Sequence, residues 1–199
     1  MKYTRSSTYN VVEVASLAFL ALLLSSCMNI GPMQGPATAF RLTSPGLPDN
    51  GMLAQKNVGI TKTNKNCTGT TNLSPPLQWI NAPENTRSFA IFMHDHAGRT
   101  GLGVSHWVAY GIPANITALA EGEASSPSAH IVPGKGTTSG FYAGPCPPIG
   151  NAPQHYVFTL IATDLEPDAL KSGLTEAEML ESLKGHTLRV ASLVLRYAQ

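Results

Sequence analysis

The sequence has few charged residues and almost no excess of either sign. Lys and Arg total 13, Asp and Glu total 12, and charged residues make up 13% of the chain. Proteins that hold nucleic acid by its phosphates normally carry a basic patch or stripe, and none is visible here. The composition therefore predicts no nucleic-acid partner. Hydrophobic residues, at 43%, suffice for one domain with one core.

Membrane-spanning runs and nucleophile motifs are also missing. The apolar run from Val14 to Leu24 is shorter than the about 20 residues that a spanning helix needs. The chain has no Gly-x-Ser-x-Gly elbow, and Cys146 lies between prolines with a second cysteine to pair with. Nothing in the sequence nominates a catalytic nucleophile, so we predict that the protein is not an enzyme.

The amino terminus is typical of an export signal. Lys2 and Arg5 precede the apolar run, and Leu24-Ser-Ser-Cys27 closes it. This ending resembles a bacterial lipobox, in which the cysteine is diacylated and becomes the first residue. We predict a lipoprotein signal peptide over 1–26, a lipidated Cys27 with a flexible tether over 27–39, and one domain over 40–199. The expected location is the outer membrane facing the periplasm, or the cell surface.

The two remaining cysteines are predicted to pair. An exported protein folds in an oxidising compartment, where paired thiols normally form disulfides. Cys67 and Cys146 both lie in turn-rich segments. We therefore expect one disulfide that joins two loops.

The rest of the chain reads as mainly β. Four apolar runs with polar ends predict the core strands, and they cover 88–95, 106–112, 155–163 and 187–197. One helix is signalled by a capping box of Thr175 and Glu178, an apolar face of Met179, Leu180 and Leu183, and a stop at Gly185. A shorter helical turn is expected around 166–171. These elements favour a β-sandwich with one peripheral helix near the C-terminal end.

Four motifs, in order along 40–197, resemble the phosphatidylethanolamine-binding family in its bacterial Raf kinase inhibitor-like (YbhB/YbcL-type) branch. The motifs are Ser74-Pro-Pro-Leu-Gln-Trp79 with Ala82 to Ala90, Ser105-His106-Trp107-Val108 with Ile112-Pro113-Ala114, Gly144-Pro-Cys-Pro-Pro-Ile-Gly150, and His155-Tyr156-Val-Phe158. The resemblance implies a sandwich of Greek-key sheets and a small pocket that accepts a phosphate-like anion. The sequence departs from the family's pattern in two places. After the first core strand, Asp95-His-Ala-Gly-Arg99 keeps only the first Asp of the family's motif. A long loop over 124–140 is the second departure.

Transferred by position, the resemblance implies the following ligand-binding residues: Asp95, His106, Gly144, Pro145 and His155, with Tyr142 at the rim. Histidine and backbone N–H groups would donate to the anion, while the aspartate would orient or protonate a histidine. The expected partners are a small anionic ligand such as a phospholipid headgroup, and a membrane reached through the lipid anchor. The sequence identifies no protein partner, and a homodimer is left open as the assembly.

A metal site is the alternative. Residues two apart on a strand point to the same side, so His94 and His96, with His106 nearby, suggest zinc or copper in a hydrolase or redox enzyme. No acidic partner for these histidines is evident in the sequence. The prediction therefore remains a binding protein that needs no cofactor.

Overall fold

The computed structural model describes residues 38–137 and 140–199. The predicted signal peptide, Cys27 and the tether up to residue 37 lie outside the described residues. The regular structure of the described residues consists of two sheets, two short α-helices and two 3-10 turns, Gln55–Asn57 and Glu123–Ser125. The elements are β1 (Arg41–Thr43), β2 (Gly51–Met52), β3 (Leu77–Ile80), β4 (Ser88–Asp95), α1 (Gly98–Gly101), β5 (Val104–Pro113), β6 (Ala118–Leu119), β7 (Val132–Pro133), β8 (Gln154–Thr163), α2 (Glu176–Ser182) and β9 (Thr187–Tyr197).

The two sheets pack face to face as a sandwich. The smaller sheet has the order β1-β3-β6 and the larger one β2-β9-β8-β4-β5-β7. Neighbouring strands are antiparallel, except that β2 runs parallel to β9. A single apolar cluster contains Leu42 and Trp79 of the smaller sheet together with Phe89 and Phe158 of the larger one. Burial of these side chains between the sheets is what holds the sandwich together.

The larger sheet is covered on its outer face as well. Met179 and Leu183, from α2 and the residue after it, pack with Val108, Tyr110 and Ile161 in a second apolar cluster. Because both faces are buried, β4 and β5 read as nearly continuous apolar runs. This explains why the four core strands were predictable from the sequence, and the mainly β sandwich is confirmed.

The predicted helix is confirmed, but one of its apolar residues and the neighbouring segment 166–171 differ from the prediction. Thr175 caps α2: its side chain accepts from Glu178 N–H, and the Glu178 carboxylate accepts in turn from Thr175 N–H at 2.8 Å. Leu180, expected on the apolar face, is 39% exposed. The segment 166–171 forms turns rather than a helix, with Ala169 N–H donating to Glu166 O. Within the described ranges, no helix is long and apolar enough to cross a membrane.

Candidate functional site

Three polar side chains meet on the inner face of the larger sheet, at the end where β4 stops. Asp95 is the last residue of β4, and Tyr156 is its partner in β8. The His106 ring of β5 meets the Tyr156 ring edge-on, with 5.2 Å between centroids. All three are buried, at 3%, 9% and 1% exposure. We call Asp95, His106 and Tyr156 the sheet-end cluster.

A β-bulge places His106 in this cluster. Met93 pairs with Trp107, but the next residue, His94, pairs with Ser105, so His106 is the extra residue of β5. Strict alternation would turn either His106 or Trp107 away from the inner face. Instead Trp107 joins the inner core while His106 contacts Tyr156. The bulge is therefore what brings an imidazole to the inner end of the sheet.

The hydrogen bond of His106 determines which ring nitrogen carries the proton. Nδ1 lies 2.8 Å from Ala143 O, and a carbonyl oxygen can only accept, so Nδ1–H donates. Burial lowers the pKa of His106 below its usual 6.5, although the Ala143 hydrogen bond and the charge of Asp95 act in the opposite direction. The ring is therefore neutral at pH 7, and its Nε2 is a hydrogen-bond acceptor.

Asp95 supplies the negative charge of the cluster. Its Oδ1 accepts from Ala97 N–H at 2.9 Å, which closes a tight turn just after β4. Burial and, after it, the nearby Asp95 charge raise the pKa of Tyr156. Tyr156 thus keeps its hydroxyl proton and donates it to Gln154 Oε1, with 3.3 Å between the two oxygen atoms. The cluster combines two acceptors, Asp95 and His106 Nε2, with a hydroxyl donor.

The predicted Gly144-Pro145 loop does lie against His106. Its residue Ala143 accepts from the ring and also donates its own N–H to His106 O at 3.3 Å. Gly59 N–H donates to Pro145 O at 3.0 Å, and Cys67 and Cys146 form a disulfide with a Cα–Cα distance of 4.6 Å. The predicted disulfide is confirmed. It joins this loop to the segment that contains Gly59.

Two residues of the loop have other roles than those expected. Tyr142 does not lie at a rim: it is 1% exposed, and its hydroxyl donates to Asn57 O at 2.9 Å. The Gly144 N–H is not free for an anion, because it donates to Asn72 Oδ1 at 2.8 Å. A Cβ on Gly144 would lie 2.1 Å from Asn57 O, so glycine is needed there for close backbone packing.

The structure does not bring His155 into the cluster. His155 is exposed and precedes Tyr156 on β8, so alternation directs it to the outer face of the sheet. Tyr156 takes the inner position that sequence reasoning assigned to His155. The signal was present in the sequence: Tyr156 is two residues from Phe158 and four from Leu160, both buried in the inner core. Alternate residues of a strand share a face, so counting back two at a time from these residues places Tyr156, and then Gln154, on the inner face.

The histidines of the alternative metal site do not converge either. His94 is half-buried, its Nδ1 lies 3.0 Å from Glu176 Oε2, and its ring is 4.6 Å from that of His96. Alternation along β4 separates it from Asp95 and the inner-face cluster that contains His106. Among residues 38–137 and 140–199, no group of three or more His, Cys, Asp or Glu side chains is placed to hold a metal ion. The geometry therefore gives the metal alternative no support.

The chain is thus a β-sandwich protein with a buried polar cluster at one end of its larger sheet. The family model for the phosphatidylethanolamine-binding proteins matches residues 43–198. The chain belongs to this family, as the sequence motifs predicted. The UPF0098 protein YbcL of Escherichia coli (strain K12) is 31% identical over 177 residues, which cover 85% of this chain and 94% of YbcL.

Solved structures agree with this assignment. A crystal structure of E. coli YbcL, described as a member of the mammalian PEBP family, has a TM-score of 0.71 and 28% identity over 80% of this chain and 98% of that one. CT736 of Chlamydia trachomatis, described as a homologue of the phosphatidylethanolamine-binding proteins, has a TM-score of 0.68 and 26% identity over 82% of this chain and 99% of that one.

LppC of Mycobacterium tuberculosis (strain H37Rv), whose name describes it as a lipoprotein, is 36% identical over 102 residues, about 49% of each chain.

Proposed function

We propose that this protein is an exported, lipid-anchored binding protein that holds a small phosphate-like anion, such as a phospholipid headgroup, without turning it over. The observation that carries the proposal is the sheet-end cluster itself. Each of these three buried polar side chains makes a hydrogen bond within the protein, and a ligand would take up the acceptor positions that remain on Asp95 and His106.

The chemistry of the cluster narrows the ligand. The Tyr156 hydroxyl would donate to a ligand by exchanging its 3.3 Å hydrogen bond to Gln154 Oε1, whereas neutral His106 Nε2 and the Asp95 carboxylate accept. A bare anion offers acceptors alone and would be repelled by Asp95. A phosphate monoester that retains a proton, or that carries an ammonium group, offers donors and acceptors together. Phosphoethanolamine has both features and fits the cluster better than inorganic phosphate does.

Binding without catalysis is supported by the Cys146 sulfur and the Tyr156 hydroxyl, since neither is in the deprotonated form that a nucleophile needs. The Cys146 sulfur is held in the disulfide with Cys67, so it is not an available thiolate. The Tyr156 hydroxyl has a raised pKa and remains protonated. Neither group is activated as a nucleophile, and we assign both to positioning.

Export and anchoring are supported by the amino-terminal signal that ends at Cys27 and by the likeness to LppC. Two acyl chains on Cys27 would provide stable attachment, whereas one chain gives only reversible binding. The binding domain would then be retained at a membrane that presents the proposed headgroup at high local concentration.

Calorimetric titration with phosphoethanolamine and with inorganic phosphate tests the binding proposal. His106→Ala and Tyr156→Phe should each weaken phosphoethanolamine binding by about 1.5 to 3 kcal/mol, the scale of a hydrogen bond to a charged group. His155→Ala is the matched control, since that imidazole lies on the outer face and should leave affinity unchanged. Equal affinity in wild type and both cluster variants, or no binding of either compound to wild type, would reject the proposal.

A further inference from the structure

Three loops surround the sheet-end cluster, and their composition is unusual. They are the segments 58–68, 97–103 and 146–153, which we call the rim loops. The second follows Asp95 at the end of β4, and the third leads into β8 just before Tyr156. The first is tied to the third by the Cys67–Cys146 disulfide and by the Gly59 to Pro145 hydrogen bond. All three therefore lie at the same end of the larger sheet.

The rim loops expose large aliphatic side chains. Leu102 is 86% exposed and Ile149 is 72% exposed, the two highest values among large hydrophobic residues of the described chain, and Ile60 is 53% exposed. Single exposed aliphatic residues are common on protein surfaces and mean little alone. Here one aliphatic residue protrudes from each of three loops around a single site.

The charge of the rim loops is of one sign. They contain Lys62, Lys65 and Arg99, all exposed, and no Asp or Glu. None of the ion pairs found among residues 38–137 and 140–199 involves these three cations. In a chain whose total formal charge is +1, the rim loops are distinctly basic.

The loop that presents Leu102 has a constrained backbone. Arg99 and Thr100 have positive φ values of 49° and 58°, which non-glycine residues adopt at an energetic cost. Hydrogen bonds from Gly101 N–H to Ala97 O and from Gly103 N–H to Gly98 O hold this left-handed turn. The strained turn keeps Leu102 away from the core and places Arg99 three residues before it.

We propose that the rim loops form a docking surface for a bilayer that contains anionic phospholipids. Leu102, Ile149 and Ile60 would insert among the headgroups, while the three cations bind the lipid phosphates; each Lys or Arg near such a surface strengthens binding about fivefold. Separate aliphatic residues on protruding turns suit insertion between lipids, whereas a protein partner would more naturally meet one contiguous apolar patch. The inference rests on the proposed function, since docking would present the cluster to lipid headgroups.

Hydrogen–deuterium exchange on the full-length exported protein, reconstituted into vesicles, tests this surface. Amides of 98–103 and 149–152 should exchange at least about threefold more slowly in vesicles of phosphatidylglycerol and phosphatidylcholine than in phosphatidylcholine alone. Salt at 0.5 M, which shortens the screening length to about 4 Å, should remove most of the difference. Leu102→Asn with Ile149→Asn, and separately Arg99→Gln with Lys62→Gln and Lys65→Gln, should abolish it.

Val190→Asn is the matched control, because Val190 is 53% exposed but lies near the opposite end of β9. This variant should keep the full protection. Rim amides that exchange equally fast in both vesicle types would overturn docking and leave the surface to a protein partner. Phosphoethanolamine titration of the same samples separates the two proposals. If phosphoethanolamine binds but the rim amides are not protected, docking alone is rejected. If the rim amides are protected but phosphoethanolamine does not bind, the binding proposal alone is rejected.

Discussion

At the scale of single residues, the cluster shows how burial and hydrogen bonding act on one histidine in opposite directions. Desolvation favours neutral His106, whereas the Ala143 carbonyl and the Asp95 charge favour the protonated ring, and desolvation prevails. Sequence reasoning anticipated an imidazolium that donates to an anion. The structure instead gives a neutral ring whose Nδ1 proton is already committed, so the proposed ligand would have to supply a donor to Nε2 at neutral pH.

This lowered pKa predicts the pH dependence of both stability and binding. Because the folded pKa of His106 lies below 6.5, the unfolded chain protonates first as pH falls. The stability that this residue contributes is therefore complete above pH 6.5 and is lost as pH falls from 6.5 towards the folded value. Protonation would also remove the Nε2 acceptor to which the proposed ligand donates, so phosphoethanolamine affinity should fall as pH falls through the folded pKa of His106. NMR titration of the His106 ring measures the pKa directly.

Denaturant unfolding at several pH values provides the control for His106. The difference in unfolding free energy between wild type and His106→Gln should change between pH 7.5 and pH 5, with wild type losing stability as pH falls. A difference that stays constant with pH, or a His106 midpoint at or above 6.5, would contradict the burial argument.

Gly144→Ala is predicted to destabilise the fold. The new Cβ would lie 2.1 Å from Asn57 O and 2.6 Å from Gly59 N, both backbone atoms that cannot move aside cheaply. Overpacking of this kind costs about 3 kcal/mol. Gly46→Ala is the comparison, since Gly46 has open space around it and only a positive φ to lose. Thermal unfolding should show the smaller loss for Gly46→Ala; equal losses would argue against the packing explanation.

At the scale of elements, strand ends and caps decide where the site residues lie. The bulge in β5 turns His106 inward, and the capping box begins α2 at the point where its apolar residues can cover the outer face of the sheet. These features act locally but have consequences across the sandwich. Without the bulge, the inner end of the sheet would lose either its imidazole or the core packing of Trp107.

The cap of α2 yields a measurable prediction. Thr175→Ala removes the side-chain acceptor of Glu178 N–H and the hydroxyl that donates to its carboxylate at 2.8 Å, and should cost about 1 kcal/mol. The Thr175 backbone N–H and, after it, the Thr175 hydroxyl lower the pKa of Glu178, so loss of the hydroxyl should raise that pKa while the backbone contribution remains. Ser182→Ala, at the other end of α2, should change stability by less than half as much. Chemical denaturation measures both effects, and an unchanged midpoint in Thr175→Ala would contradict the capping role.

At the scale of the whole molecule, covalent links define how the binding end is built and held. The disulfide joins residues separated by 79 positions in sequence, and it connects two of the loops around the cluster. The lipid proposed at Cys27 would confine the domain to a membrane. One link therefore stabilises the binding end, and the other would determine where it operates.

Removing the disulfide should destabilise the domain substantially. Closing a loop of this length restricts the unfolded chain by about 4 kcal/mol in the chain-entropy model. Cys67→Ala with Cys146→Ala should lower the unfolding free energy by an amount near that value, and dithiothreitol should do the same to wild type. If reductant leaves the unfolding midpoint unchanged, the bridge is not formed in solution. Two free thiols in the denatured, unreduced protein would show the same.

Lipidation of Cys27 is tested in cells. Cys27→Ser should prevent labelling by radioactive fatty acid and should abolish the lipid-dependent membrane attachment of the protein. The conservative exchange keeps the small polar residues of the signal, so export itself should continue. Failure of the wild-type protein to incorporate label would reject the lipoprotein assignment. This result would not bear on the binding proposal.

The sequence by itself determined the features that depend on neighbouring residues or on the redox environment. The bounds predicted for 88–95 and 187–197 agree with β4 and β9, and the capping box and disulfide are as expected. β4 is recognisable because consecutive residues must be apolar when both faces are covered, whereas β9 is recognisable because its buried residues alternate with more exposed ones from Ala191 to Tyr197. Capping is likewise a contact between residues three apart.

Only the tertiary structure decided which polar residues share a site. Whether His106 faces inward depends on a bulge, which is a property of how β4 and β5 pair and not of either strand alone. Tyr156 rather than His155 faces Asp95 because a shift of one residue along a strand exchanges its two faces. Gly144 donates to Asn72, and Tyr142 to Asn57, because a distant loop lies against them. The loop contacts join residues far apart in the chain, so local sequence patterns do not reveal them, whereas the inward position of Tyr156 can be inferred from its spacing to Phe158 and Leu160.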